Sequence, residues 1–361
     1  MINRIEGQRC ERFLQGAKDE IDALVIQSQP NMRYFSGFTG DSGGLIISGN
    51  QKVLLTDFRY TEQAREEARD FEVVECARGE YLPKLYAVIA DIGARSIGFE
   101  DETLMYADAN ALISGITTVE WKAVSTRIMQ FRMIKDETEL VYLKRAGEIA
   151  DMAFLYAQDT FYVGMTEKEM ALQLECFMRE NGAQALSFPI IAASGENGSR
   201  PHAVPTHREI RRGDMLTLDF GCIVEGYCSD MTRTIGFGTL ASEQENVYNI
   251  CLEAQMRACE AARVGLRGRQ LDAIAREHID QHGYGACFGH SLGHGVGLDI
   301  HEQPNLSMQS ETILAPNMVF SIEPGIYCEG KYGVRIEDFG VLTPNGYQSF
   351  IHSPKELICL P

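Results

Sequence analysis

The first third of the chain alternates between two spacings of hydrophobic residues. Apolar residues at every second position, bounded by glycine or asparagine, are typical of strands, and a spacing of three or four residues is typical of helices. Strands are predicted over residues 21–27, 71–76 and 96–100, a hairpin over 44–56 with its turn at Gly49 and Asn50, and helices over 61–69 and 81–92. Alternating strands and helices predict an α/β domain, which we place at residues 1–127.

Residues 128–361 show longer helical patterns between glycine-rich strands. The starts of three helices are predicted by a capping box, in which an acidic or hydroxyl-bearing residue is followed three positions later by Glu. The boxes begin at Asp136, Thr166 and Ser242, and the first opens a helix that extends to about residue 158. A fourth helix is predicted over residues 269–281. Two helices followed by an acidic hairpin occur twice, so this domain is predicted to be α+β and internally duplicated.

Each predicted hairpin is flanked by a pair of acidic residues. The pairs and their midpoints are Asp219 and Asp230 about Val224 and Glu225, and Glu323 and Glu337 about Gly330. In an antiparallel hairpin, the two acids of each pair would lie opposite one another on one face. Opposed like charges destabilise a sheet, so the pattern predicts a bound cation. The alternative is a surface hairpin with solvated acids, but Asp219 and Glu323 each end an apolar strand.

A stretch rich in glycine and histidine lies between the two hairpins. It contains His290, His294 and His301, and its glycines let the backbone approach a site closely. A lone histidine is more often structural than functional, but three so close together indicate a functional cluster. His202, in a loop before the first hairpin, is unremarkable by itself.

Two more polar residues share a strand face with the acids. Thr232, two residues after Asp230, is predicted to donate a hydrogen bond to a ligating carboxylate. Arg335, two residues before Glu337, either holds a carboxylate or contacts substrate, or else forms a plain ion pair. The sequence leaves these alternatives open.

The candidate ligands indicate which metals would bind. Carboxylates and an imidazole suit Mn²⁺, Co²⁺, Zn²⁺ or Fe²⁺ better than a thiolate site would. Five side chains can serve two ions only if some carboxylates bridge, which implies ions about 3.5–4 Å apart, as in two-metal hydrolases. Such a site lowers the pKa of a bound water and polarises the carbonyl under attack.

Composition excludes several classes of function. The chain has 361 residues and a formal net charge of −18, which argues against nucleic-acid binding. No apolar run approaches the roughly 20 residues of a membrane span, and the first ten residues lack an apolar signal core. The ten cysteines are scattered, which favours free thiols and a cytoplasmic protein. Cys222 and Cys228 are predicted to lie opposite each other, so a strained disulfide between them stays open.

The ordered acids and histidine, with their local contexts, resemble the metallopeptidases of pita-bread fold, which include methionine aminopeptidase, aminopeptidase P and prolidase. The resemblance covers nearly the whole chain. Segments 31–40 and 56–60 look like a creatinase/prolidase N-terminal domain, and segment 353–358 looks like the proline-peptidase branch. The fold implied is an N-terminal α/β domain followed by a pita-bread catalytic domain.

The resemblance also implies a role for each candidate residue. The implied metal ligands are Asp219, Asp230, His294, Glu323 and Glu337, with Asp230 and Glu337 bridging two ions, most often Mn²⁺. Glu323 doubles as general base, and His301 steadies the tetrahedral intermediate. His202 contacts substrate, and His290 is a further active-site histidine. A homodimer is also implied.

The leading functional hypothesis is an Xaa-Pro aminopeptidase that acts on proline-containing peptides. An Xaa-Pro bond has no N–H, so a pocket that accepts the proline ring and requires no amide donor selects it. The alternative is an Xaa-Pro dipeptidase, which must also bind a free carboxylate, with Arg335 or Arg200 as candidates. A metal-free creatinase-like enzyme or a non-catalytic binding protein would lose metal ligands, and all five are present here.

Overall fold

The computed structural model describes residues 5–361, which form two compact units. The first unit ends at Phe131 and the second is Arg132–Pro361. The domain bounds 1–127 and 128–361 stay a prediction. Residues 1–4, part of the segment predicted to lack a signal core, lie outside the described residues. Over the rest of the chain no helix is both long and apolar enough to span a membrane.

The first unit is a six-stranded sheet with helices, which confirms the predicted α/β domain. Its strands are β1 (Ala23–Ile26), β2 (Gly44–Ser48), β3 (Lys52–Thr56), β4 (Glu72–Glu75), β5 (Ser96–Phe99) and β6 (Glu120–Ala123), in the order β4-β3-β2-β1-β5-β6. Its helices are α1 (Ile5–Ala17), α2 (Gln29–Ser36), α3 (Thr61–Glu67), α4 (Tyr81–Ile92) and α5 (Tyr106–Gly115), and α6 (Ser125–Met133) contains the division between the units. The predicted hairpin is confirmed, because Ile47 pairs with Lys52 around the turn at Gly49 and Asn50.

The second unit has four long helices and a large sheet. The helices are α7 (Glu137–Thr160), α8 (Glu167–Glu180), α9 (Ser242–Ala261) and α10 (Gly268–Gln281). The strands of its first half are β7 (Ala185–Leu186), β8 (Ile191–Ser194), β9 (Met215–Phe220), β10 (Cys222–Val224), β11 (Tyr227–Cys228) and β12 (Met231–Phe237). Those of its second half are β13 (Gly293–Gly295), β14 (Glu302–Leu306), β15 (Val319–Ile322), β16 (Gly325–Cys328), β17 (Tyr332–Arg335), β18 (Glu337–Thr343), β19 (Gly346–Ser349) and β20 (Cys359–Leu360).

The large sheet has the order β14-β13-β15-β18-β12-β9-β8, with β19 on β18 and β20 on β12. The first half contributes β8, β9 and β12, and the second half contributes β13, β15 and β18 in mirrored order, so the two halves meet where β12 pairs with β18. This arrangement confirms the predicted duplication. It also brings the two acidic hairpins to the centre of one sheet.

Two of the predicted capping boxes are confirmed and the third does not form. The Asp136 carboxylate accepts hydrogen bonds from the backbone N–H groups of Thr138 and Glu139, and the Thr166 hydroxyl accepts one from the backbone N–H of Glu169. At α9 the N-cap is Ala241 rather than Ser242, because the Gln244 side chain accepts the Ala241 N–H at 2.8 Å. The prediction that Ser242 caps this helix is therefore wrong.

The Asp136 cap gives a direct stability prediction. Replacing Asp136 by alanine removes the acceptor for two helix N–H groups and is expected to lower the free energy of unfolding by about 1 kcal/mol. Asp136→Asn keeps an acceptor oxygen and serves as the matched control. Denaturant titration of the full chain measures both, and equal stability of the two variants would contradict the capping role.

Candidate metal centre

The first acidic hairpin turns one residue later than predicted. Glu225 and Gly226 have φ values of 46° and 77°, the positive values typical of a two-residue hairpin turn, and Val224 pairs with Tyr227 across it. In the same register Asp219 pairs with Thr232, so the prediction that Asp219 and Asp230 lie directly opposite each other is wrong. They still share a face, because Asp230 is two residues from Thr232.

The shifted register also separates two cysteines that were predicted to face each other. Cys228 pairs with Ile223, and both Cys222 and Cys228 are buried free thiols. Burial raises the pKa of Cys222 to about 11 and that of Cys228 to about 12. The two cysteines are free thiols, so the structure shows no disulfide between them.

The second acidic hairpin has the predicted register. Ile322 pairs with Asp338 where β15 meets β18, and Gly325 pairs with Arg335 in the hairpin of β16 and β17. Glu323 and Glu337 lie between these two pairings, and the turn is centred on Gly330. The prediction for this pair is confirmed.

His294, on β13, has its two ring nitrogens in different surroundings. Nδ1 lies 3.0 Å from the Gly295 carbonyl oxygen, which can only accept, so this nitrogen carries a hydrogen. Nε2 lies 3.4 Å from Asp230 Oδ2 and 3.2 Å from Glu323 Oε1. An imidazole whose far nitrogen is held by a carbonyl presents the other one as a metal ligand.

Three ligand atoms converge, one each from Asp230, His294 and Glu337. They all lie within 4.8 Å of one another. The Thr232 hydroxyl donates to Glu337 Oε2 at 2.6 Å, as the sequence predicted for a carboxylate of this site. The other oxygen, Glu337 Oε1, is buried and has no hydrogen-bond partner within residues 5–361, and the same is true of Asp219 Oδ1.

Burial and neighbouring negative charges raise the pKa values of three carboxyls. Burial and the negative charges of Glu337 and Asp219 raise the pKa of Asp230 well above its usual range. Burial, with the charges of Glu323 and Asp219, does the same for the pKa of Glu337. Burial also raises the pKa of Asp219, although the Arg335 guanidinium opposes it. A positive charge bound among these carboxyls would therefore stabilise their ionised forms.

Glu323 and His294 form a charged pair at the same site. Burial opposes the charged form of both groups, but their mutual hydrogen bond and attraction hold the pKa of Glu323 at about 2 and raise that of His294 to about 9. Ser321 Oγ donates to Glu323 Oε1 at 3.0 Å and fixes the carboxylate.

The residues fit a divalent cation on three independent observations. Two carboxylate oxygens are buried without a partner, one imidazole nitrogen faces two carboxylates, and three ligand atoms converge within 4.8 Å. Among residues 5–361, the ion pairs of these carboxylates involve two cationic groups, His294 and Arg335. Hard oxygen ligands with one imidazole suit a first-row divalent metal.

Arg335 lies beside the cluster, and all three of its guanidinium nitrogens donate hydrogen bonds. Its Nη2 donates to Asp219, and its Nε donates to Thr232 Oγ1 at 3.1 Å. Its Nη1 donates to the Tyr327 hydroxyl at 2.6 Å and to the Pro201 carbonyl at 3.2 Å. Of the alternatives left open by the sequence, the structure shows contact with a carboxylate of the cluster.

Of the three other histidines predicted for the site, His301 contacts a candidate metal ligand directly. The His301 ring packs edge-on against that of His294, with centroids 4.4 Å apart. Burial and the charge of His294 lower the pKa of His301, and His202, which is exposed, adds to this effect. His290 is half-buried, and its Nε2 lies 3.2 Å from the Tyr327 hydroxyl.

The sequence did not predict Tyr327 or Ser321. Tyr327 contacts both Arg335 and His290, and Ser321 holds Glu323. Both residues lie an even number of positions from Glu323, so alternation along the strand places them on its face. Counting that face would have identified them.

The Thr232 contact predicts a measurable loss of metal affinity. Thr232→Val removes the donor to Glu337 Oε2 while preserving side-chain shape, and it is expected to weaken metal binding about 10–100-fold. Calorimetric titration with Mn²⁺ measures this effect, and Thr232→Ser, which keeps the hydroxyl, is the control. An unchanged affinity in the valine variant would contradict the role of this hydrogen bond.

Comparison with known families places matches along nearly the whole chain. The model of Metallopeptidase family M24 matches residues 141–344. The model of the Creatinase/Prolidase N-terminal domain matches residues 9–134.

Individual relatives and solved structures agree with these matches. An Xaa-Pro dipeptidase of Pyrococcus horikoshii is 38% identical over 94% of this chain and 95% of its own length. The structure of an Xaa-Pro dipeptidase from Bacillus anthracis has a TM-score of 0.94 at 40% identity, covering 98% of this chain and 100% of that one. An X-Pro aminopeptidase from Thermotoga maritima has a TM-score of 0.90 at 39% identity, over 98% of this chain and 100% of that one.

Proposed function

The chain belongs to metallopeptidase family M24, and on that premise we propose that it is an Xaa-Pro dipeptidase. Family membership makes it a hydrolase that depends on divalent metal, and the predicted fold class of creatinase-type N-terminal domain and pita-bread catalytic domain is confirmed. The observation that carries the proposal is the convergence of Asp230, His294 and Glu337 with uncompensated negative charge.

The dipeptidase activity is favoured over the aminopeptidase activity that led the hypotheses from sequence. Relatives named Xaa-Pro dipeptidase match at 38% and 37% identity over nearly their whole lengths. A dipeptidase needs a cation for the free carboxylate of its substrate. Arg335 is committed to Asp219, whereas Arg200 is exposed two residues before His202 and is our candidate for this contact. Xaa-Pro aminopeptidase remains the second candidate, supported by the likeness to the Thermotoga maritima enzyme.

The metal ligands we propose are Asp219, Asp230, His294, Glu323 and Glu337. They would hold two divalent ions, with Mn²⁺ as the proposed metal, since oxygen ligands predominate. When bound, the ions supply Lewis acidity and a water of lowered pKa.

The protein's own residues would hold the substrate and move its protons. The Glu323 carboxylate, fixed by Ser321, takes a proton from the attacking water and passes it to the proline nitrogen as that nitrogen leaves. His301 would donate a hydrogen bond to the oxygen of the tetrahedral intermediate. His202 would contact the substrate.

Arg335 and His290 would position other groups of the site rather than contact the reacting atoms. Arg335 orients Asp219 and is linked to His290 through the Tyr327 hydroxyl. Because proline's nitrogen carries no hydrogen in the peptide bond, the site needs no acceptor there.

We also propose a cytoplasmic location and a homodimer. Ten free cysteines, five of them buried, support a reducing compartment.

A peptide-length assay tests the proposed function. Purified protein loaded with Mn²⁺ is given Ala-Pro and Ala-Pro-Ala-Ala, before and after chelation. We expect metal-dependent cleavage of Ala-Pro at least about 10-fold more efficient than cleavage of the tetrapeptide, because only the dipeptide places a carboxylate within reach of the site. Preference for the tetrapeptide would replace the proposal with the aminopeptidase. Full activity after chelation would overturn the metallopeptidase mechanism.

A further inference from the structure

The loop of residues 195–206 carries His202 between β8 and β9. After a short 3₁₀ helix, Gly195–Ser199, it has no regular structure. Val204, next but one to His202, is 74% exposed. An exposed loop needs anchors elsewhere to hold one shape.

Both ends of the loop are tied to one carboxylate. Glu167, the first residue of α8, is fully buried. Its Oε1 accepts hydrogen bonds from the backbone N–H and the hydroxyl of Ser194, both at 2.7 Å. Its Oε2 accepts from Asn197 Nδ2 at 2.9 Å and from the N–H and hydroxyl of Thr206 at 2.9 and 2.7 Å. One side chain thus joins the residue before the loop to the last residue in it.

The middle of the loop is anchored to the hairpin of β16 and β17. A Cβ on Gly333 would lie 2.0 Å from the Gly198 carbonyl oxygen, so the two backbones can approach this closely only with glycine there. The Ser199 hydroxyl accepts the Gly330 N–H at 3.3 Å. Arg335, which holds Asp219, also donates to the Pro201 carbonyl, one residue before His202.

These anchors fix the backbone on both sides of His202. The ring of His301 packs on that of His294, and His202 is near enough to His301 to act on its charge. Arg335 thus ties the residue before His202 to Asp219, a candidate metal ligand, which keeps His202 beside the site.

We infer that Glu167 is a positioning residue, which sets the place of His202 for substrate binding by fastening both ends of loop 195–206. The inference rests on the proposed function for the identity of the substrate. The hydrogen bonds of Glu167 go to Ser194, Asn197 and Thr206 rather than to a candidate metal ligand, so its effect is on the position of His202 rather than on the chemical step.

Replacing Glu167 by glutamine breaks this fastening without changing shape. A carboxylate accepts at both oxygens, whereas an amide places an NH₂ group at one of them. Either orientation then turns a donor toward a backbone N–H, that of Ser194 or that of Thr206. One end of the loop is released in each case.

The test compares Glu167→Gln with Glu175→Gln, a change on the same helix at an exposed ion pair. Full-length variants loaded with Mn²⁺ are assayed on Ala-Pro, and amide hydrogen exchange is measured over residues 194–206. In Glu167→Gln we expect KM to rise about 10-fold or more with kcat changed less than about 2-fold. A displaced His202 would weaken binding of the substrate in the ground state and in the transition state equally. Exchange in the loop should be faster, and Mn²⁺ affinity unchanged. The control should match the wild type.

Thr206→Val provides a milder second variant in case Glu167→Gln does not fold. It removes one of the five hydrogen bonds and should shift KM and exchange in the same direction by a smaller amount. Unchanged KM in both variants, or a fall in kcat at constant KM, would overturn the inference. If the wild type does not cleave Ala-Pro, the proposed function fails, while the exchange data still decide whether Glu167 fastens the loop.

Discussion

Replacing Asp230 by asparagine is expected to reduce hydrolysis of Ala-Pro by more than about 100-fold. Mutating a residue that only hydrogen-bonds to a metal ligand already lowers activity or metal affinity about 10–100-fold. Asp230 Oδ2 lies 3.4 Å from His294 Nε2 and belongs to the group of converging ligand atoms. An amide keeps the shape but removes the negative charge that a divalent cation needs. Steady-state kinetics and metal content per chain measure the effect together.

Asp159→Asn is the matched control, because Asp159 is an exposed acid on α7 in the same unit. It should keep wild-type activity and metal content. The metal-free variant should be at least as stable as the wild type, because burial and neighbouring charges oppose ionisation of Asp230. An active Asp230→Asn enzyme with full metal content would show that Asp230 is not a ligand.

Replacing Arg233 by methionine is expected to destabilise the second unit by about 3–5 kcal/mol, the usual effect of removing one partner of a buried ion pair. Arg233 is 1% exposed and donates to Asp338 Oδ1 at 2.8 Å. It also donates to the carbonyls of Thr232, Glu337, Ser353 and Pro354. The bonds to Glu337 and Asp338 join β12 to β18, where the two halves of the sheet meet.

Thermal unfolding followed by circular dichroism measures this loss, which corresponds to about 6–20 °C in Tm for a unit of this size. Arg257→Met, at an exposed ion pair with Glu253, is the control and should change stability by less than about 0.5 kcal/mol. A loss below about 1 kcal/mol for Arg233→Met would mean that Lys355, which also pairs with Asp338, compensates the buried charge alone.

Helix bounds and hairpin turns, which depend on residues close together in the sequence, were largely predicted correctly. Helix α4 begins and ends where the apolar spacing placed it, at residues 81–92, and the hairpin at Gly49 and Asn50 has its predicted register. The second acidic hairpin was placed correctly because its turn is centred on a glycine. The first was misplaced by one residue because Glu225 adopts positive φ beside Gly226, which composition alone does not reveal.

Contacts between distant segments account for what the sequence did not predict. The ends of loop 195–206 meet at Glu167, but nothing in the local sequence distinguishes that residue from the other acids of α8. Tyr327 reaches His290 across 37 positions of sequence. The candidate ligands were named from sequence because each lies at a strand end or in a glycine-rich segment, and their roles stay predictions.

Anomalous diffraction at the manganese edge, from crystals of the protein grown with Mn²⁺, tests the central claim most directly. The account predicts strong anomalous peaks bounded by Asp219, Asp230, His294, Glu323 and Glu337, with Asp230 and Glu337 between two ions. Active crystals with no anomalous density among these five side chains would contradict it.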